Sequence, residues 1–229
     1  MTLCLIPARG GSKRIPRKNL RPFAGRPMIE WPFAAARASG LFDAILVSTD
    51  DAEIADLARA NGADVIDRPA TLADDHATTR DVILHALDIL TDLPDALCCL
   101  YATAPFVRPE DLTAARALLD GVDFAVPVAR YPFPIERAVR IRDGRLAMDR
   151  PEHLWTRSQD LEEAFHDAGQ FYWGTPAAWR GDAPIFGPHT APLVLPAARV
   201  QDIDTEDDWT RAEAMFRALS LDVPTTHVG

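Results

Sequence analysis

The sequence predicts an α/β protein: one domain in three layers, with helices on both faces of a mostly parallel sheet. Three observations carry the prediction. Short apolar runs alternate with stretches whose apolar residues recur at helical spacing. The first apolar run passes straight into a glycine pair wrapped in cations, a turn suited to the carboxyl end of such a sheet. A length of 229 residues suits one domain of this class with a small appendage.

The elements follow in order. Residues 3–6 form the first buried strand, and a helix is expected over 27–39 after the basic turn. AILVSTD (44–50) is the second strand, 52–61 a helix closed by Gly62, and 63–66 a short third strand. DRPATLADDHATT is a polar loop, after which Val82, Ile83, Ala86, Leu87 and Leu90 share one face of a helix over 79–90. Residues 96–101 are a buried strand, 109–119 a helix with Pro and acids in its first turn, and 124–128 a strand.

The pattern changes at 129. A proline-rich stretch leads to VRIRDGRLAMD, two alternating segments joined by Asp143-Gly144, which is a hairpin signal. This hairpin is an excursion within about residues 130–170 that would cap the site or meet a second subunit. QFYWG, 192–196 and a helix over 206–219 return the chain to the sheet, and residues after Ser220 read as a loose tail. The whole of 1–229 is expected to be a single domain.

Composition excludes several classes. With 48% hydrophobic and 25% charged residues the chain is an ordinary globular protein, and no apolar run reaches the roughly 20 residues of a membrane span. The chain enters a strand after two residues, too early for a signal peptide, so a cytoplasmic location is expected. Cys4, Cys98 and Cys99 fall in strand-like runs without C-x-x-C spacing, which suits buried reduced thiols. A net charge of −10 argues against nucleic-acid binding, which needs a basic face.

That net charge is unevenly spread. Up to Ile29 there are seven cations (Arg9, Lys13, Arg14, Arg17, Lys18, Arg21, Arg26) and no acid, so a +7 segment sits on a body of −17. Gly10 and Gly11 lie inside this segment, where backbone amides can face a ligand without interference from Cβ. A strand, a glycine turn and cations together make a phosphate site. Neither the Walker pattern nor G-x-G-x-x-G is present, so the site is of another kind.

The second signal is VQDIDTEDDW (200–209). On an extended strand Asp202 and Asp204 point to one side, an arrangement for a divalent cation shared with substrate phosphates. Thr205 and Asp208 instead read as a capping box opening the last helix. A basic glycine loop plus a carboxylate pair suggests nucleotidyl or phosphoryl transfer, with cations holding a triphosphate and Mg²⁺ bridging its oxygens.

IPARGGSKRIPRKN, with SGLFD, VSTDD, RPATLADDHATT and QDIDTEDDW at similar spacing, resembles the signature of the cytidylyltransferases that activate nine-carbon sialic-type sugar acids. The resemblance covers almost the whole chain. Within that family YPFPIERA, TRSQDLEEAFHDAGQFYWG and RVQDID are closest to the branch acting on pseudaminic acid, with N-acetylneuraminate and legionaminate as alternatives.

The resemblance implies a Rossmann-like nucleotidyltransferase fold, Mg²⁺ as cofactor, CTP and a sugar acid as partners, and a homodimer formed around the hairpin. It implies that Arg9, Gly10, Gly11, Ser12 and Lys13 hold the CTP phosphates, with Lys18 and Asn19 beside the α-phosphate. Arg68, Asp75 and Thr79 match the segment lining the cytosine pocket, and Asp202 and Asp204 match the metal pair. Lys18, Asp202 and Asp204 are thus the candidate catalytic residues. The sugar acid is expected beyond Tyr101 and Thr103, with Arg157 suited to its carboxylate and Gln159, His166 and Gln170 offering hydrogen bonds. In YATAPF, Ala102 stands where the family typically has proline. A nucleotide-sugar binder without catalysis is the alternative of another class; it would have no use for Lys18 and the carboxylate pair.

Overall fold

A computed structural model describes residues 1–74 and 76–221, without the side chains of Ser220 and Leu221. The chain runs β1 (Thr2–Pro7), a small ribbon of β2 (Pro22–Phe23) and β3 (Arg26–Pro27), α1 (Glu30–Ser39), β4 (Ala44–Thr49), α2 (Ala52–Ala60) and β5 (Asp64–Asp67). Then follow α3 (Thr79–Ile89), β6 (Ala96–Leu100), α4 (Pro109–Leu118) and β7 (Phe124–Arg130). A hairpin of β8 (Val139–Arg142) and β9 (Arg145–Met148) precedes β10 (Phe165–Asp167), β11 (Phe171–Gly174), α5 (Pro176–Arg180), β12 (Thr190–Val194) and α6 (Glu206–Leu221).

β5, β4, β1 and β6 pair in parallel, the arrangement expected of buried runs such as ALCCL in β6. Beyond β6 the direction reverses. β11 pairs antiparallel with both β6 and β7. β10 pairs antiparallel along the same edge of β7, and β12 lies parallel along the other. The sheet of eight strands is therefore mixed, with a parallel core.

Alternation along β1 divides the core into two faces. Cys4 and Ile6 pack with Phe33 of α1, Ile54 of α2 and Leu112 of α4. Leu3 and Leu5 pack with Ile83 and Leu87 of α3 and Trp179 of α5. Helices thus cover both faces, giving the Rossmann-like three-layer arrangement. The three cysteines are buried free thiols.

Helix starts follow local chemistry. Asp51 caps α2 by accepting from the Glu53 and Ile54 amides, and Thr78 with Asp81 forms a reciprocal box on α3. The expected box on α6 is present, since Thr205 Oγ1 accepts from the Asp208 amide at 3.2 Å and Asp208 Oδ2 accepts from the Thr205 amide at 3.0 Å.

Two expectations shift. The helix expected from residue 27 begins at Glu30, because Pro27 pairs back across the β2–β3 ribbon, whose turn uses Ala24 and Gly25 at φ 47° and 92°. Residues 200–204 form no ladder and are not a strand; the Asp204 and Thr205 amides turn to Asp208 Oδ2 instead of a neighbouring strand. The expected tail has Leu221 still within α6, and its remainder, 222–229, lies outside the described residues.

A third, smaller core positions the site. Ile15 and Phe23 from the basic segment pack with Phe106 and with Ile203, Trp209 and Ala212 near α6. Phe23 meets Trp209 and Phe216 edge-on at 5.5 Å between ring centroids, contacts of about 0.5–1.5 kcal/mol each. Residues 9–28 and 202–212 are thereby fastened together. The β8–β9 hairpin stands apart from the main sheet, as its sequence predicts. Asp143 and Gly144 take φ of 51° and 72° at its turn, and Ile141 and Leu146 are exposed.

Candidate active site

The basic loop leaves β1 and passes over the carboxyl ends of β4, β5 and β6, where open α/β sheets bind ligands. It is braced from below. The Gly10 amide donates to Asp50 Oδ1 at 2.9 Å, and Arg17, at φ 54°, pairs with Asp51 and Glu53. A Cβ on Gly10 would lie 2.5 Å from Asp51 Oδ2, so glycine is needed there for close approach. This corrects the expectation that the Gly10 amide faces a ligand: Asp50 takes it. A Cβ on Gly11 would meet nothing within 4 Å. The Ser12 amide closes on Gly10 O at 3.0 Å.

The other cations of the segment divide by partner. Arg21 pairs with Glu206 at 2.6 Å over the Trp209 ring, and Arg26 stacks on Trp31 with its guanidinium 3.4 Å from the ring centroid. Both brace the third core. Arg9 donates to Asp74 O at 2.9 Å, and the Asn19 carboxamide donates to Arg9 O at 2.9 Å. Arg9, Ser12, Lys13, Lys18 and Asn19 all line one cavity of about 690 Å³.

The far wall of that cavity comes from other elements. Arg68, after β5, is buried and donates to Ser48 Oγ at 3.1 Å and Ser48 O at 2.7 Å; burial lowers its pKa. The Thr79 and Tyr101 hydroxyls are 3.1 Å apart, and burial pushes the Tyr101 phenol up to about 12. Asp75 lies outside the described residues.

A second cavity of about 610 Å³ adjoins the first and adds His166, Asp167 and Asp202. The two share Lys18, Tyr101, Thr103 and Asp204. Although 200–204 is not a strand, its alternation survives: Ile203 is buried in the third core while Asp202 and Asp204 face the cavity. Lys18 Nζ lies 3.4 Å from Asp204 Oδ1 and Arg14 Nη1 lies 2.7 Å from Asp204 Oδ2. The Lys18 side chain is 15% exposed and that of Arg14 68%, so solvent screens Arg14 far more. Burial, and then the neighbouring Asp204, raise the Asp202 pKa, with Lys18 opposing.

Three expected sugar-side residues are not brought there. Arg157 is on the excursion and its guanidinium grips Asp160 at 2.7 and 3.1 Å. Gln159 lines a separate depression beside Tyr131 and Phe133. Gln170 is buried, and its carboxamide donates to Arg199 O at 2.5 Å, clamping the turn before Val200. Residues the sequence reading did not single out are Asp50 and Asp51, Asp167 and Tyr172. Two acids directly after the apolar run of β4 were the available signal for the first pair; nothing local marked the second.

A model of the cytidylyltransferase family matches residues 3–130. The chain is 40% identical over 222 residues to the pseudaminic acid cytidylyltransferase of Campylobacter jejuni serotype O:2, covering 94% of this chain and 96% of that one. The chain belongs to the cytidylyltransferase family. It is also 33% identical to a CMP-N,N'-diacetyllegionaminic acid synthase of Legionella pneumophila, over 93% of this chain and 95% of that one. CMP:2-keto-3-deoxy-manno-octonic acid synthetase, solved with CTP, superposes with a TM-score of 0.69 over 95% of this chain and 99% of that one; at 17% identity it speaks for the fold.

In this cytidylyltransferase the donors available to a metal are hard oxygens. Among the described residues no group of three or more His, Cys, Asp or Glu gathers as a self-contained metal site. A pair of carboxylates at the meeting of the two cavities suits Mg²⁺, which takes one or two carboxylates and completes its shell with water and substrate phosphates. Asp202 with a raised pKa beside Asp204 is a pair whose mutual repulsion a cation would relieve. Among the described residues no helix is long and apolar enough to cross a membrane.

Proposed function

We propose that this cytidylyltransferase transfers CMP from CTP to pseudaminic acid, giving CMP-pseudaminic acid and diphosphate, with Mg²⁺ required. The observation that carries the reading is the shared boundary of the two cavities at Lys18, Tyr101, Thr103 and Asp204. A nucleotide in the first cavity and a sugar acid in the second would have their reacting atoms there. Identity to enzymes named for pseudaminic acid supports the choice of acid.

The sugar's anomeric oxygen attacks the α-phosphorus, forming the new P–O bond as the bond to the β-phosphate breaks. The hydroxyl proton leaves to an acceptor and the electron pair leaves with diphosphate. Mg²⁺, held by Asp202 and Asp204, would neutralise charge on the phosphates. Lys18 stabilises the charge that builds at the α-phosphate, from a half-enclosed position where such interactions are strong. Arg9, Ser12 and Lys13 hold the phosphates, with Gly10 allowing the loop its close course over Asp51 and Gly11 keeping its own side open to them. Asn19 fixes the loop through Arg9 O. Arg68 and Thr79 face the base and ribose.

The protein acts in the cytoplasm as a homodimer and one catalytic domain. Phe133, Ile141, Leu146 and Trp155 are between 72% and 89% exposed on the excursion, and a second copy would cover them. That assembly is also the setting in which Arg157 and Gln159 could serve a sugar site. Diphosphate release with CTP, Mg²⁺ and a panel of pseudaminate, legionaminate and N-acetylneuraminate tests the reading. The highest kcat/KM is expected with pseudaminate; preference for another acid moves the assignment within the family, and no release with any acid favours binding alone.

A further inference from the structure

The second cavity carries a charge that neither the metal nor the phosphates account for. Its charged lining is Lys18, Asp202, Asp204 and Asp167, with His166 beside them. The sugar acid is itself an anion. Asp202 and Asp204 are matched by a divalent cation, and Lys18 serves the boundary with the nucleotide cavity. Asp167 remains, a carboxylate facing an anionic substrate from the part of the cavity that the nucleotide cavity does not share.

Its partners hold it in place through neutral donors. Asp167 Oδ2 accepts the Tyr172 hydroxyl and Oδ1 accepts the Gly169 amide at 2.9 Å, and neither donor is a cation. Tyr172 is fixed in turn by the edge of Tyr101, with ring centroids 5.5 Å apart. An ionised carboxylate has about four lone-pair directions; two are taken here, and the residue is exposed to the cavity. The neighbouring His166 turns Nδ1 to Asp167 O at 2.8 Å, where it donates to the carbonyl and leaves the Asp167 carboxylate oxygens to other donors.

We infer that Asp167 is a specificity determinant that accepts a hydrogen bond from an N–H or O–H group on the tail of the sugar acid, remote from its carboxylate. Like charges set the orientation: the substrate carboxylate lies toward Lys18 and the donor-bearing tail toward Asp167. Tyr172 is a positioning residue that acts through Asp167. The inference rests on the proposed use of a sugar acid and adds how that acid is chosen. A site built to bind a donor discriminates against analogues lacking it, because a bound substrate that covers the carboxylate without donating leaves it desolvated and unpaired.

The test uses the full chain with CTP, Mg²⁺ and pseudaminate, together with analogues in which single tail N–H or O–H groups are replaced by O-acyl or hydrogen. In the wild type, deletion of one such donor is expected to raise the KM for the acid about 10- to 100-fold, the worth of a hydrogen bond to a charged group, with the KM for CTP unchanged. Asp167→Asn is expected to raise the KM for the complete acid by a similar factor and to lose the discrimination against that analogue. Tyr172→Phe removes the brace and keeps the carboxylate, so its discrimination persists.

An unchanged KM for the acid in Asp167→Asn overturns the inference, as does equal discrimination in that variant and the wild type. Loss of discrimination in Tyr172→Phe to the same extent would make Asp167 a structural anchor only. Should Asp167→Asn fail to fold, the wild-type analogue series decides alone: no penalty for any tail donor overturns the inference. Failure of the wild type to use any sugar acid would instead remove the proposed function.

Discussion

Lys18 Nζ lies 3.4 Å from Asp204 Oδ1, joining residues 186 positions apart at the boundary of two cavities. The third core makes this meeting possible. Ile15 anchors the basic loop and Ile203 anchors the carboxylate segment in one apolar cluster, so charges on the outer side of each come together. In the proposed reaction each charge is the other's counter-ion until phosphates and a divalent cation replace them.

Lys18→Ala should therefore cut kcat by about 10²–10³, the size of effect seen when one charge-stabilising donor is removed. The KM for CTP should move much less, since Arg9 and Lys13 line the same cavity. Steady-state kinetics checks this; kcat within threefold of wild type would remove Lys18 from its assigned role.

Asp202 gives a prediction with a definite sign. Its folded-state pKa is raised above the ordinary aspartate value of 3.8, so the folded protein binds the proton more tightly than the unfolded chain does. Ionising it opposes folding, an effect absent below about pH 3.8 and complete above the raised folded pKa. Asp202→Asn should thus raise the metal-free Tm at pH 7, with the gain shrinking as pH falls toward 4, while turnover is lost. Thermal melts with and without Mg²⁺ report both, and a lower metal-free Tm at pH 7 would contradict the burial and repulsion argument.

The two glycines of the loop should behave differently. Gly10→Ala forces contact with Asp51 Oδ2 and with Asp51 Cβ at 2.9 Å, and neither can retreat without loosening the α2 cap. A loss of about 1–3 kcal/mol is expected, with weaker CTP binding. Gly11→Ala should leave stability within about 0.5 kcal/mol, as at other open surface positions. Urea unfolding separates the two cases, and equal stability of both variants would refute the close-approach reading.

The exposed apolar side chains of the excursion predict an assembly. Trp155→Glu or Ile141→Glu should convert the proposed dimer to a monomer in sedimentation experiments, at unchanged helix content. A wild-type protein that sediments as a monomer would leave those side chains without their partner.

Much of this fold was legible in the chain because its signals are local. The β–α alternation, the Asp143-Gly144 turn and the Thr205–Asp208 box each depend on a few neighbouring residues. The facing of Asp202 and Asp204 was readable too, although for a partly different reason: burial of Ile203, not a strand ladder, turns them to one side. What stayed hidden depends on distant partners. Gln170 has the polarity of a ligand contact, yet Arg199 O takes its donor inside the core. Asp50 takes the Gly10 amide from 40 residues away. Arg157 and Gln159 sit on an excursion whose course no local pattern fixes.

The most direct test of the central claim is ³¹P NMR of the full chain turning over CTP, Mg²⁺ and pseudaminate. The triphosphate resonances should give way to one phosphodiester resonance of a CMP-linked sugar and to diphosphate, in equal amounts and only when all three components are present. Free CMP with diphosphate and no sugar nucleotide, or an unchanged triphosphate spectrum with every acid of the panel, would contradict it.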